Sequence, residues 1–195
     1  MEYTKKDIDL IEQVMRKPVF LSALLNDITG MNKEKNYEIL RHLSENRETK
    51  RGLSLLHRMA EQGELKWVVP AVEQHHLTDL LTLKDSQGKT VFGTLAENHP
   101  ENIFGMLLAV SKEDLSELLL LRNAGKSVFE ILLEKRPEDM ERALLNVPQE
   151  KMLDLLLSKN NQGKLAFETL IENQRQRRKI SAQISISITQ ESSTL

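Results

Sequence analysis

The 195-residue sequence contains no cysteine, which excludes a disulfide framework, thiolate chemistry and the paired-cysteine spacing of zinc fingers. Aromatic residues make up only 4%, so leucine-rich helical packing has to carry the stability. No apolar run approaches the ~20 residues of a membrane-spanning helix, and Met1-Glu2-Tyr3-Thr4-Lys5 lacks the basic-then-apolar order of a signal peptide. A cytoplasmic location is therefore expected. An excess of one charge is also missing: 27 Lys and Arg stand against 29 Asp and Glu, a formal charge of −2. Nucleic-acid binders announce themselves as basic domains, so no nucleic-acid partner is expected.

What the chain does have is repetition. Gly88-Lys89-Thr90-Val91-Phe92 returns as Gly125-Lys126-Ser127-Val128-Phe129 and, more loosely, as Gly163-Lys164-Leu165-Ala166-Phe167. Phe92 to Phe129 is 37 residues and Phe129 to Phe167 is 38; stepping back 36 twice reaches Leu56 and Phe20. A unit this short cannot bury an apolar face alone, so self-similarity at this period marks a stacked array.

Each copy reads as helices joined by turns. Ser54, Thr90 and Ser127 sit where a helix N-cap belongs, just ahead of apolar periodicity, which predicts a first helix of roughly eight residues. Those helices end alike, in Met59-Ala60-Glu61-Gln62, Leu95-Ala96-Glu97-Asn98, Leu132-Leu133-Glu134-Lys135 and Leu170-Ile171-Glu172-Asn173. Pro100-Glu101 and Pro137-Glu138 then suit the opening turn of a second helix. Ser111-Lys112-Glu113-Asp114 opens a short third helix through Leu121, with counterparts at Leu77 to Leu83 and Met152 to Leu157. At the N-terminal end, Ile8, Ile11, Val14 and Met15 recur at helical spacing, as in a capping helix. At the other end, Ile184, Ile186 and Ile188 alternate with Ser185, Ser187 and Thr189. The alternation reads as a strand, although the repeat would place a second helix there; the expectation is a partial capping helix, then a polar tail from about Thr189.

The stretch Gly52-Leu53-Ser54-Leu55-Leu56-His57-Arg58-Met59-Ala60-Glu61-Gln62-Gly63 resembles the ankyrin-repeat signature, with Ser54 for its threonine, Leu55 for its proline, and Leu56, His57, Ala60 and Gly63 as its leucine, histidine, second alanine and closing glycine. Asp85 to Thr90 also looks like an ankyrin turn, but Gly93, Glu130 and Glu168 replace the histidine, and Pro18-Val19-Phe20 with Ala23 looks like a degenerate first copy. The period exceeds the ~33 residues of ankyrin repeats by about one helical turn, which the third helix accounts for. This lengthened form is similar to divergent ankyrin-like repeats of proteins that intracellular bacteria deliver into host cells. The resemblance implies an all-α fold, an α-solenoid of about five helix-turn-helix repeats with a period of 36–38 residues. Residues 1–16 would be an N-terminal capping helix, 17–173 the array, and 174–195 a basic, Ser/Ile-rich cap and tail.

No catalytic, cofactor or metal site is expected. Gly88-Lys89-Thr90 and Gly125-Lys126-Ser127 look like the end of a phosphate-binding loop, but Leu83 and Leu120 stand where its first glycine belongs. Of the five histidines only His75 and His76 are close in sequence, and neighbours on a helix point about 100° apart, a poor ligand pair without a third group. His57 would bond the turn. Glu61, Glu97, Glu134 and Glu172 recur with the repeat, whereas catalytic acids need distinct environments, so they read as a solvated ladder.

The resemblance instead implies a protein-binding scaffold that uses turn tips and exposed first-helix residues on a concave face. Those positions are Arg51, Gln87, Lys89, Asn123, Lys126, Gln162 and Lys164 at the turns and Arg58, Thr94 and Glu130 on the first helices. Lys89, Lys126 and Lys164 would form a basic row facing an acidic segment of a partner, a host protein if the effector likeness holds, with type IV secretion as the delivery route. The alternative is a membrane-associated adaptor that uses Arg175, Arg177, Arg178 and Lys179. Ser193-Thr194-Leu195 also resembles a C-terminal ligand for a PDZ-type groove.

Overall fold

Thr90 and Ser127 each hold the chain in extended backbone and start a helix. The Thr90 hydroxyl accepts from the Gly93 N–H at 3.0 Å and the Ser127 hydroxyl from the Glu130 N–H at 3.1 Å, so each satisfies one of the N–H groups a first turn leaves unpaired. Eight-residue helices follow, Val91–Asn98 and Val128–Lys135. They stop before Pro100 and Pro137, because a residue ahead of proline is pushed out of the helical region. His99 and Arg136 accordingly lie at φ −134°, ψ 62° and φ −141°, ψ 58°.

The computed structural model describes residues 21–45, 55–123, 125–160 and 162–192. Within them the chain is all-α apart from one two-stranded ladder. The elements are α1 (Leu21–Thr29), α2 (Lys33–Glu45), α3 (Leu55–Glu61), two 3-10 turns (Leu65–Trp67 and Val69–Ala71), α4 (Gln74–Thr82), α5 (Val91–Asn98), a 3-10 turn (Pro100–Asn102) running into α6 (Ile103–Ala109), α7 (Lys112–Leu120), β1 (Arg122–Asn123), β2 (Lys126–Ser127), α8 (Val128–Lys135), α9 (Pro137–Leu144), α10 (Gln149–Leu156) and α11 (Ala166–Ser192). The expected capping helix at 5–16, the degenerate turn at 18–20, Arg51 to Ser54 and Ser193-Thr194-Leu195 lie outside the described residues.

Like packs on like. The first helices α3, α5, α8 and α11 each touch the next, as do the third helices α2, α4, α7 and α10, and α6 lies against α9. Leu56, Phe92 and Phe129 fill the seam between first helices with no exposed surface, while the equivalent Phe167 on α11 is 44% exposed. Leu77, Leu80 and Leu81 on α4 and Leu115, Leu118 and Leu119 on α7 are buried in the same way along the third helices. Each fully buried phenylalanine or leucine contributes about 1.5–3 kcal/mol.

The uneven period has two separate physical sources. From Val91 to Leu118 and from Val128 to Leu155 the spacing is 27 residues in both copies, whereas from Leu80 to Val91, Leu118 to Val128 and Leu155 to Ala166 it is 11, 10 and 11. The missing residue lies in the turn: Arg122 pairs with Ser127 across a hairpin one residue shorter than those closed by Lys84 with Thr90 and Lys159 with Leu165. The 36-residue step between Leu56 and Phe92 arises elsewhere, from the second helix after α3, which is replaced by the 3-10 turns around Pro70. A 3-10 helix rises about 2.0 Å per residue against 1.5 Å for an α-helix, so fewer residues span the same length.

The C-terminal alternation of isoleucine and serine is not a strand. Helix α11 runs unbroken from Ala166 to Ser192, across residue 173 and past Thr189. No proline or glycine follows Asn173 in this segment, in contrast to Pro100 and Pro137 at the ends of α5 and α8, so nothing interrupts the helical ladder.

Adding one glycine to the short turn between Arg122 and Ser127 should change the free energy of urea unfolding by less than about 1 kcal/mol, since loop length costs little. One alanine inserted after Ile131 in α8 rotates Leu132 and Leu133 out of the seam by about 100°. That variant should lose on the order of 2–5 kcal/mol for each displaced leucine.

Candidate interaction surface

Asp85 and Asn160 build two of the turns by the same local chemistry. Asp85 Oδ1 accepts from the N–H groups of Gln87 and Lys89 at 2.8 and 2.9 Å, and Asn160 Oδ1 accepts from those of Gln162 and Lys164 at 2.9 Å each. Gly88 and Gly163 take φ of +77° and +78° within these turns, the left-handed region that a side chain resists. In the short middle turn Asn123 holds the equivalent position, but its side chain accepts from the Thr90 N–H of the preceding copy rather than closing its own turn. There the Arg122 guanidinium donates to the carbonyls of Gly125 and of Lys159, each at 2.8 Å, tying one turn to the next. Gln87 and Gln162 emerge exposed at the tips.

The lysines that follow are not a bare basic row. Lys89 Nζ meets Glu97 Oε2 at 3.0 Å, Lys126 Nζ meets Glu134 Oε2 at 2.7 Å, and Lys164 pairs with Glu172. The turn lysine and the glutamate eight residues on, at the far end of the first helix, therefore form one ion pair in each of these three copies. Glu134 holds the Lys126 ammonium above its ordinary pKa range through that hydrogen bond. The row expected as basic and three of the four glutamates expected as a solvated ladder form one line of ion pairs; for the fourth, Glu61, the residue eight positions earlier is Leu53 and not a lysine.

Three of the expected contact residues are buried, and two of them, Asn123 and Glu130, have structural roles. Asn123 is 1% exposed, Thr94 5% and Glu130 7%. Asn123 Oδ1 accepts from the Thr90 N–H at 3.1 Å, reaching back from the next turn to the preceding N-cap. Gly93 leaves room for it: a Cβ there would lie 2.6 Å from Asn123 Cγ. In the next copy Glu130 stands at the Gly93 position and its own carboxylate accepts from the Ser127 N–H, completing a capping box, while Glu168 does the same for the Leu165 N–H at 2.9 Å. His57, at the same position in the first of these helices, is fully buried and its Nε2 lies 2.9 Å from the Lys89 carbonyl, so it does bond a turn, that of the following copy. Arg58 is half-buried, and Arg51 falls outside the described residues.

The far ends of the first helices are also tied to the next copy. His99 Nε2 meets the Glu61 carbonyl at 3.0 Å, Lys135 Nζ donates to the Glu97 carbonyl at 2.6 Å, and Asn173 Nδ2 donates to the Leu133 carbonyl at 2.8 Å. These bonds satisfy carbonyls that a helix C-terminus leaves open. The recurring carboxylate followed by an amide or base was visible in the sequence for Lys135 and Asn173, but its role was not; His99 replaces Asn98, which bonds the Thr94 carbonyl of its own helix instead. Between copies, a solvent-open groove of about 390 Å³ is lined by Leu65, Val69, Leu95, Asn102, Gly105 and Met106, among others. Among the described residues no helix is long and apolar enough to cross a membrane.

Gly93→Ala should lower stability by on the order of 1–3 kcal/mol, as overpacking does. In an Asn123→Ala background the same substitution should cost less, and a double-mutant cycle by urea unfolding reads the difference. In comparisons with protein families, curated proteins and solved structures, the chain matches none.

Proposed function

We propose that the chain is an α-solenoid of about five ankyrin-like repeats and acts as a protein-binding scaffold through its turns. The observation that carries this reading is the line of Lys89–Glu97, Lys126–Glu134 and Lys164–Glu172 pairs, which recurs in three successive copies beside the exposed turn tips. Each glutamate occupies the place an acidic group of a partner would take. The lysines are thereby preorganised, and a partner with carboxylates at matching spacing exchanges its own for the internal ones. Such an exchange sets orientation and association rate more than affinity. The effector likeness of the repeats extends the proposal to a partner inside a host cell, reached by type IV secretion.

The membrane-adaptor reading has less support. Arg177 lies 3.4 Å from Glu141 on α9, which leaves Arg175, Arg178 and Lys179 as the exposed cations of that cluster, fewer than the 4–8 of a polybasic membrane contact.

Two triple variants test the scaffold in opposite directions. Lys→Gln at 89, 126 and 164 should weaken capture of a partner from eukaryotic lysate and flatten its salt dependence; Glu→Gln at 97, 134 and 172 should strengthen capture by freeing the lysines. Both variants should keep the helical circular dichroism spectrum, since exposed pairs contribute at most about 1 kcal/mol each. A partner retained equally by all three proteins would overturn the assignment to this surface.

A further inference from the structure

The first turns of the third helices carry acids, as helix N-termini prefer: Glu34 in α2, Glu113 and Asp114 in α7, Glu150 in α10. Helix α4 breaks this pattern. Its first turn holds no acid and contains His75 and His76. The two rings lie with centroids 4.0 Å apart, tilted by 44°. Neighbours on a helix are a poor ligand pair by themselves, and for that reason the sequence pointed to no metal site. The structure supplies the third group from another helix: Glu34 Oε2 approaches His76 Nε2 at 2.7 Å, and one ligand atom from each of Glu34, His75 and His76 lies within 4.8 Å of the others.

The surroundings fix the half-buried member of the trio. The His76 ring stacks on Tyr37 with centroids 3.9 Å apart and planes 7° from parallel. Tyr37 is itself held, its hydroxyl donating to Asp79 and accepting from Arg41 Nη1 at 2.7 Å, while Arg41 also pairs with Asp79 at 3.2 Å. The His76 imidazole is thus oriented by a buried aromatic platform anchored in a polar network spanning α2 and α4. This cluster lies off the repeat pattern.

We propose that Glu34, His75 and His76 bind a divalent transition metal ion that clamps α2 to α4. Two imidazoles and one carboxylate are the donor set that zinc takes with three protein ligands and an open position for water. The metal takes the place of the hydrogen between His76 Nε2 and Glu34 Oε2, with the remaining ring proton carried on Nδ1. Tyr37, whose hydroxyl is committed to Asp79 and Arg41, is a positioning residue and not a ligand.

The test is a zinc titration of the untagged full chain in competition with a chromophoric chelator, with thermal unfolding recorded in parallel. The expected result is one saturable zinc per chain and a raised unfolding temperature. His75→Gln, His76→Gln and Glu34→Gln should each weaken binding by about tenfold or more, since ligand loss exceeds the ~10–100-fold effect of outer groups at its lower end. His99→Gln, at the His99–Glu101 pair elsewhere, should leave it unchanged. His75 is exposed and makes no part of the His76–Glu34 bond, so His75→Gln decides the matter even if the other two variants unfold. Absence of saturable zinc binding by the wild-type chain, or binding undiminished in His75→Gln, overturns the proposal.

Discussion

Packing one helix N-terminus against the next copy leaves backbone N–H groups that water cannot reach, and the architecture between residues 55 and 173 follows from satisfying them. An unpaired buried donor costs about 1–3 kcal/mol, comparable to what a buried phenylalanine contributes. The chain meets the requirement with hydroxyls at Thr90 and Ser127 and with the residue three positions on from each N-cap. Where that residue is glutamate it bonds its own N-cap backbone; where it is glycine, Asn123 of the following turn enters instead. Only with those donors paired can Phe92 and Phe129 sit in the seam without exposed surface.

Much of this was legible because it is local. The N-caps at Thr90, Ser127 and Ser111, the proline starts at Pro100 and Pro137, and the eight-residue first helices follow from residue chemistry within a few positions. What was not legible is pairwise and distant. Ser127 three residues ahead of Glu130 is the spacing of a capping box, a local signal that marks Glu130 as a cap rather than an exposed contact, whereas Asn123 looks like an ordinary turn residue until Gly93 is seen to vacate the space it fills. The lysine and glutamate rows were each found, but eight residues span a turn and a whole short helix, so their meeting depends on how the turn folds back. The Ile/Ser alternation is no strand, because period two marks one only where a sheet edge exists to receive it; the expected C-terminal helix is there, but as a continuation of α11 that runs past the expected tail start at Thr189.

Charge is distributed along the surface in a way composition alone conceals. A formal charge of −2 describes a molecule in which turn cations are matched within the same copy, Lys89 by Glu97 and Lys126 by Glu134. The surface is therefore locally dipolar and presents little net field at a distance. The spacing of the pairs is set by the turns: the middle pair follows a turn one residue shorter than its neighbours. The cluster of Glu34, His75 and His76 stands apart from this line, on the third helices.

Successive copies look alike, yet each junction is worded differently. His57 addresses the backbone of the following turn, Gly93 yields its place to Asn123, and Glu130 answers its own N-cap. Exchanging the copies that begin with the turns ahead of α5 and α8 would set Asn123 against the buried His57 and leave Gly93 facing Asn160, whose side chain closes its own turn. The order of units is written into the seams, so the chain is a sentence with fixed syntax rather than a string of interchangeable words.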